Sequence, residues 1–306
     1  MKKGLIFLIS IFLSNIVFSQ STPLFTQYYN NGVVNNPAIS GSNINSPLTI
    51  QTRQQWLGFE RAPITTNISY HKSLNNRSAM GGFLMYDKAY PLIQANLQLN
   101  YAYHVPLDYN KINLSFGIGA NLVYYNLDFN VEDLPPTNDI ALVSSSYDKT
   151  LGDASAGVYL YSENFNCGFS AVNLLQPEFK KAISESPYSN LQYRNYYGTI
   201  SYKFKIINNE WELQPSLIVR KMQFSESISD FSTRIVYLKR IWFSSGYRSD
   251  GTGLFAFGFL NNNMSISYSY DHTLSGDIAD YSFGSHELVI TFNLTPNKNP
   301  FSYSSY

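Results

Sequence analysis

The stretch QANLQLNYAYHVPL, residues 94–107, decides the fold class of this chain. Its odd positions carry mostly large apolar side chains, whereas its even positions carry mostly amides, with His104 near the end. Successive side chains point to opposite faces of a β-strand, so a period of two predicts a strand with one apolar face. Residues 112–124 repeat the pattern, with apolar side chains mostly separated by Asn, Ser or Gly. Both stretches therefore predict long strands.

Weaker segments of the same kind bring the number of predicted strands to fourteen. An even number of antiparallel strands of about 9 to 11 residues is typical of a closed outer-membrane β-barrel. The predicted strands are 48–57, 64–72, 79–87, 94–107, 112–126, 153–162, 165–173, 196–206, 211–222, 231–239, 241–248, 254–260, 263–271 and 286–294.

The lengths of the connections test the strand assignment independently. Outer-membrane barrels have short periplasmic turns and longer extracellular loops. With the start of the first strand on the periplasmic side, every predicted periplasmic turn is short. The longest connections, residues 127–152, 174–195 and 272–285, all fall on the other side. We therefore predict a closed antiparallel barrel of about fourteen strands, with these three segments as its long outer loops.

The composition agrees with a surface that faces lipid. Only 14% of the residues are charged, against about 25% in an ordinary soluble domain, and the chain has 25 Tyr and 21 Phe. The alternative is a secreted β-sandwich, whose outward side chains should include many Lys, Glu and Asp; the polar face here is mostly Asn, Ser, Thr, Gln and Gly. The 21 basic and 21 acidic residues give no basic excess, which argues against a nucleic-acid partner.

The first residues have the pattern of a secretory signal peptide. Lys2 and Lys3 precede an apolar run at residues 5–18, and the small residues at the two positions that a signal peptidase reads, 17 and 19, predict cleavage after Ser19. A membrane anchor helix would need about 20 apolar residues. We predict a signal peptide at 1–19, an N-terminal periplasmic or plug segment at 20–47, a barrel at 48–294 and a C-terminal tail at 295–306.

No residue pattern indicates catalysis, a cofactor or a metal. None of the four histidines has metal-ligand spacing, and His71 and His104 are expected to fill the lumen as polar residues. No serine has a nucleophile-elbow context, and a serine-based barrel enzyme stays an open alternative. The lone Cys167 is expected to face lipid, and Gly117 to ease barrel curvature.

Two sets of side chains lead to positional predictions. Trp56, Trp211 and Trp242 lie near predicted strand ends, where an interfacial aromatic belt would place them. Charges are rare in the strands, and a lipid-facing Arg or Lys at the membrane midplane would cost about 2–4 kcal/mol. Arg53, Arg248, Asp271 and Glu287 are among the few charges in or next to strands, and we therefore expect them to face inward and pair.

A series of short motifs, in order along the chain, resembles the PorP/SprF family of outer-membrane proteins in the type IX secretion system of Bacteroidota. The motifs are 23–28 (PLFTQY), 35–41 (NNPAISG), 53–58 (RQQWLG), 62–65 (APIT), 245–248 (SGYR), 268–271 (YSYD) and 284–288 (GSHEL). From them we assign a structural or partner-binding role to Phe25, Gln27, Tyr28, Asn36, Pro37, Ala38, Gly41, Arg53, Gln55, Trp56, Gly58, Ala62, Pro63, Tyr247, Arg248, Tyr268, Tyr270, Asp271, His286 and Glu287.

The resemblance implies a fourteen-stranded barrel without a catalytic role. It implies a function in secretion or cell-surface anchoring of a partner protein, such as an adhesin with a C-terminal sorting domain, and contact with periplasmic components of the secretion or gliding machinery. We expect the partner to bind the three long outer loops. The alternative is an outer-membrane channel or hydrophobic-solute transporter, whose ligand would be a small molecule in the lumen.

Overall fold

The computed structural model describes residues 23–108, 112–128, 146–179, 190–191, 193–206, 210–274 and 277–296. Most of them form β-strands. The strands are β1 Asn45–Gln54, β2 Ile64–Ser73, β3 Ser78–Ala89, β4 Leu92–Asp108, β5 Ile112–Asp128, β6 Ser146–Ser162, β7 Phe165–Val172, β8 Glu178–Phe179, β9 Asn190–Leu191, β10 Asn195–Tyr202, β11 Phe204–Ile206, β12 Trp211–Met222, β13 Ser227–Tyr237, β14 Ile241–Arg248, β15 Thr252–Leu260, β16 Met264–Thr273 and β17 Ser285–Pro296.

The strands form a closed antiparallel barrel of fourteen. β10 and β11 are two parts of one barrel strand, interrupted at Lys203, because both pair with β12. The β1–β17 pairing joins the first strand to the last, and the β10–β12 pairing completes the ring. β8 and β9 pair only with each other, in the connection between β7 and β10. The prediction of a closed fourteen-stranded barrel is therefore confirmed.

Among the residues that the structure describes, helical structure is limited to short pieces that are not part of the barrel wall. α1, Asp277–Tyr281, lies between β16 and β17, and two 3₁₀ helices, Gly32–Val34 and Pro37–Ile39, precede β1. Among the described residues, no helix has the length and hydropathy needed to cross a membrane.

Several predicted boundaries are wrong. The barrel strands extend from Asn45 to Pro296 rather than over 48–294. β1 ends at Gln54 rather than at 57, since Trp56 has a positive φ of 48°, which does not fit a strand. β6 begins at Ser146 rather than at 153, because it pairs with β5 as far as Asp128. β5 and β6 thus extend beyond the apolar pattern from which their ends were predicted.

Parts of the predicted loops and termini lie outside the described residues. These parts are 1–22, 129–145, 180–189, 192, 275–276 and 297–306, together with two turn segments, 109–111 and 207–209.

The barrel has an apolar exterior and a polar interior. Leu99 and Ile118 point outward and remain 63% and 64% exposed, whereas His104, Ser115 and Asn113 are buried on the inner face. A β-sandwich would bury its apolar faces against each other. The secreted-sandwich alternative is therefore excluded, and the exposed apolar side chains form the surface that meets lipid.

The two ends of the barrel differ in their connections. One end carries the short turns at 74–77, 109–111, 163–164, 207–210, 238–240 and 261–263, and we call it the periplasmic end. The other, here called the outer end, carries the connections at 55–63, 90–91, 129–145, 173–194, 223–226, 249–251 and 274–284.

The tryptophans do not all follow the prediction of an interfacial belt. Trp56 and Trp211 lie at or just beyond strand ends and are each 38% exposed. Trp242 is only 2% exposed, because it shares the inward phase of β14 with Ser244 and packs against Val236. The prediction for Trp242 is therefore wrong. Cys167 is partly exposed on the outward phase of β7.

Candidate functional site: the N-terminal segment inside the barrel

The interior of the barrel contains the chain that precedes β1. Residues 23–44, which we call the N-terminal segment, form hydrogen bonds with well-separated parts of the wall. Asn31 Nδ2 donates to Gln51 Oε1 on β1 at 3.0 Å, and Asn36 Nδ2 donates to the Val158 carbonyl on β6 at 3.0 Å. The segment therefore lies within the lumen and does not extend along the outside.

The Asn36–Pro37 pair starts a 3₁₀ helix that packs on the inner wall. The Asn36 side chain caps this helix by accepting from the Ala38 backbone N–H at 2.9 Å, and Pro37 occupies its first turn. Proline suits this position because its fixed φ and missing N–H cost nothing there. Ala38 is fully buried. The turn signal in the sequence thus marks a helix held against the wall.

Two paired glycines form the recess that receives this helix. Gly117 on β5 lies directly opposite Gly157 on β6. A Cβ added to Gly117 would lie 2.2 Å from the Ala38 nitrogen, and one added to Gly157 would lie 2.2 Å from Asn36 Oδ1. The expectation that Gly117 mainly eases curvature is replaced by a more specific role, since glycine is required here for close approach of the segment.

At the outer end, six buried charged residues form one cluster. The charged cluster consists of Arg53, Arg220, Arg248, Asp230, Asp271 and Glu287. Arg53 Nη2 lies 2.7 Å from Asp271 Oδ2, and Arg248 Nε lies 3.0 Å from Asp230 Oδ1. The cluster contains three cations and three carboxylates, so its formal charges balance. Such pairing is what makes buried charge tolerable.

The charged cluster binds Phe25, Thr26 and Gln27, near the start of the N-terminal segment. The Glu287 carboxylate accepts from the Thr26 N–H at 2.8 Å and from the Gln27 N–H at 3.0 Å. Thr26 Oγ1 donates to Asp271 Oδ2 at 2.6 Å, and Arg220 Nη2 donates to the Phe25 carbonyl at 3.0 Å. Backbone groups that have no strand partner are therefore satisfied by charge-assisted hydrogen bonds.

The four charged residues named from sequence all face inward and pair in this cluster. Sequence reasoning missed Arg220 and Asp230. Their signal was present, because each is a charge on the polar phase of a strand.

Two tyrosines fill the middle of the lumen. Tyr28 packs against Val172, Tyr197 and Ile218, and its hydroxyl donates to Ser216 Oγ at 3.0 Å.

The neighbouring Tyr29 lies between a cation and an indole. The Arg234 guanidinium is 4.8 Å from the centroid of the Tyr29 ring, and the Trp242 ring meets Tyr29 edge to face at 5.9 Å. These contacts account for the inward position of Trp242, because the indole packs on the segment.

At the periplasmic end, two histidines hold the Ser40–Gly41 turn. The Gly41 N–H donates to His71 Nδ1 at 3.0 Å, and His104 Nε2 lies 2.9 Å from the Ser40 carbonyl. A carbonyl can only accept, so His104 carries its proton on Nε2, and Nδ1 accepts from the Tyr161 hydroxyl at 2.8 Å. Gly41 has φ +78°, a conformation that favours glycine. Both histidines therefore have specific partners in the segment, beyond filling space.

The remaining motif residues lie in the outer connection 55–63 or on the outward face. Gln55 N–H donates to the Pro63 carbonyl at 2.9 Å, and the φ of Gly58 is +107°. On the outside, Tyr268 Oη lies 2.5 Å from His286 Nδ1. The structure thus brings together, in the lumen, Phe25, Gln27, Tyr28, Asn36, Pro37, Ala38, Gly41, Arg53, Arg248, Asp271 and Glu287. It leaves outside the lumen Gln55, Trp56, Gly58, Ala62, Pro63, Tyr247, Tyr268, Tyr270 and His286.

The chemistry of this interior is that of a binding surface for the chain's own segment. In the part of the chain that the structure describes, no group of three or more His, Cys, Asp and Glu side chains could hold a metal ion. The buried carboxylates accept from arginines and from the segment backbone.

Comparison with known proteins identifies the family and the fold. The family model described as "Type IX secretion system membrane protein PorP/SprF" matches residues 17–292. No curated protein matches the sequence.

Solved structures with a similar fold are outer-membrane barrels. The CymD monoaromatic hydrocarbon channel aligns with a TM-score of 0.50 at 10% identity, covering 90% of this chain and 95% of that one. The Ralstonia pickettii toluene transporter TbuX aligns with a TM-score of 0.49 at 12% identity, covering 85% and 92%. The KdgM porin aligns at 0.41 and 6%, covering 81% and 99%. At these identities the likeness concerns the fold alone. Family membership together with the fold shared with the CymD channel makes the chain an outer-membrane β-barrel.

Proposed function

Because the chain belongs to the PorP/SprF family of type IX secretion system membrane proteins, we propose that it is an accessory barrel that supports secretion or cell-surface anchoring of a partner protein. The partner would be a large protein, such as an adhesin, with a C-terminal sorting domain. Periplasmic components of the secretion or gliding machinery would contact the opposite end. We propose no catalytic role.

The observation that carries this proposal is the occupied lumen. The N-terminal segment is bonded to the charged cluster near the outer end and to His71 and His104 near the periplasmic end. A cavity of about 160 Å³ remains beside it, lined by residues such as Tyr159, Tyr161 and Lys203. That volume is far too small for a polypeptide domain. A barrel filled in this way acts through its surfaces rather than as a conduit for the partner.

The outer end offers a surface suited to a protein partner. Large aromatic side chains stand exposed beside the outer connections, including Phe59, Tyr281 and Phe283. Backbone hydrogen bonds fix these connections to each other, since the Phe283 N–H donates to the Leu57 carbonyl at 2.7 Å. Aromatic residues are enriched at the centres of protein interfaces. We propose that the partner binds here, through segments 127–152, 174–195 and 272–285.

Affinity purification from the outer membrane tests the proposal. In the test variant, residues 129–145 are replaced by a Gly/Ser linker of equal length. The control variant carries Asp250→Ser in the outer turn 249–251. Both should migrate as folded, heat-modifiable barrels. We expect a large protein with a C-terminal sorting domain to co-purify with the wild type and the control, and to be lost from the loop variant.

Conductance separates this proposal from the channel alternative. The purified wild-type barrel in planar bilayers should show no steady ion current, because the segment fills the lumen. A steady current, together with a partner yield that does not depend on residues 129–145, would overturn the proposal in favour of a diffusion channel.

A further inference from the structure

The N-terminal segment runs through the lumen in one direction. Thr26 is bound to Asp271 and Glu287, which lie near the ends of β16 and β17 that border the outer connection 274–284. Gly41 is bound to His71, which lies near the end of β2 that borders the short turn 74–77. The chain therefore passes from the outer end to the periplasmic end between residues 26 and 41, before the first strand begins.

This passage through the lumen determines on which side of the membrane the start of the chain lies. Fourteen crossings by barrel strands start and finish on the same side, so Asn45 and Pro296, which form a register pair between β1 and β17, both lie at the periplasmic end. The passage through the lumen is a fifteenth crossing. An odd number of crossings puts residue 23 on the side opposite to Pro296.

The contacts of Leu24 agree with an exit at the outer rim. Leu24 lines a small cleft with Met222, Glu226 and Ile228, which lie in or beside the outer connection 223–226 between β12 and β13. Pro23 and Leu24 are partly exposed, whereas Phe25, Thr26 and Gln27 are buried. The chain thus becomes buried as it is followed inward from the outer mouth.

We infer that the mature amino terminus is presented on the cell surface, opposite in sidedness to the end of β17. The sequence interpretation of residues 20–47 as a periplasmic or plug segment gave no reason to expect an outer start. The inference rests on the barrel and its interior contacts and not on the proposed partner. If the proposed function holds, the start of the mature chain is part of the surface that the partner meets.

Cysteine labelling on intact cells tests this topology. In a Cys167→Ala background, single cysteines are introduced as Ser21→Cys, as Asp250→Cys in the outer turn 249–251, and as Asn262→Cys in the periplasmic turn 261–263. Asp250 and Asn262 are both exposed, which makes them matched references for the two sides. A membrane-impermeant maleimide is applied before and after disruption of the outer membrane, and heat-modifiable migration confirms that each variant is folded.

We expect Ser21→Cys to react on intact cells to at least half the extent of Asp250→Cys, and Asn262→Cys to react only after disruption. Reaction of Ser21→Cys only after disruption would overturn the inference. An epitope inserted after Gln20 and detected by antibody on intact cells gives a second measurement that does not depend on a cysteine. Absence of surface signal from a folded, epitope-bearing barrel would also overturn it. Labelling only after disruption reports the side of the membrane, and co-purification reports the partner, so the proposed function and this topology can fail separately.

Discussion

Asp271 is the member of the charged cluster whose removal should have the largest effect for the smallest change in shape. Its carboxylate lies 2.7 Å from Arg53 Nη2 and 3.3 Å from Arg248 Nη1, and it accepts from Thr26 Oγ1 at 2.6 Å. Asp271→Asn keeps the size of the side chain but leaves three buried cations facing two carboxylates. The unbalanced charge cannot reach water, because Arg53 and Arg248 are almost fully buried.

Breaking one partner of a buried ion pair costs about 3–5 kcal/mol. We therefore expect Asp271→Asn to lower the free energy of unfolding by about that amount, which corresponds to a factor of about 2 × 10² to 5 × 10³ in the unfolding equilibrium. Asp250→Asn, a matched change at an exposed carboxylate, should stay within about 0.5 kcal/mol of wild type.

Reversible urea unfolding in detergent micelles, followed by tryptophan fluorescence, measures both variants by linear extrapolation. A double variant, Asp271→Asn with Arg53→Gln, restores the charge balance, and we expect it to be less destabilised than the sum of the two single changes. A loss below about 1 kcal/mol for Asp271→Asn would refute the reasoning, since it would mean that the cluster is solvated or dispensable.

Three further changes test other contacts of the N-terminal segment. Gly117→Ala should lower the unfolding free energy by about 1–3 kcal/mol and make the N-terminal segment sensitive to protease, because the new Cβ would lie 2.2 Å from the Ala38 nitrogen. The control Gly198→Ala should be tolerated, since a Cβ added there has no atom within 4 Å. In single-tryptophan variants reconstituted in brominated lipid, the fluorescence of outward-facing Trp211 should be quenched and that of buried Trp242 should not; equal quenching of both would contradict the inward position. His104→Ala leaves the Ser40 carbonyl without this donor and should cost at least about 1–3 kcal/mol in the same urea assay, and a cost near zero would remove the histidine from the list of anchors.

The wall of the barrel could be predicted from sequence because it follows from a local rule. Residues 94–107 alternate so regularly that the strand, its lipid face and its lumenal face can be read together, and β4 and β5 extend just beyond the predicted limits. The inward direction of Arg53 and Glu287 was also predictable. A charged side chain on a barrel strand is costly when it faces lipid, so it is expected to face the lumen. Strand ends were less predictable, because above the membrane a strand continues without any apolar pattern.

The contacts inside the lumen could not be predicted in the same way. Gly117 and Gly157 are forty residues apart, and their shared recess exists only after β5 and β6 are in register. Trp242 resembles an interfacial tryptophan in sequence, and its inward position depends on Tyr29, which is more than two hundred residues earlier. Such pairs are set by tertiary packing, for which a single sequence carries no local signal.

The contacts between Thr26 and the last two strands have a consequence for how the barrel is assembled. The N-terminal segment continues directly into β1, and β1 is the strand that joins β17 to close the ring. The carboxylates that receive the segment, Asp271 and Glu287, belong to β16 and β17, the last strands to be synthesised. A chain that ends early would leave Arg53 without either carboxylate and the segment without its anchor. Docking of the beginning of the chain at these contacts therefore requires that the end of the chain has been made.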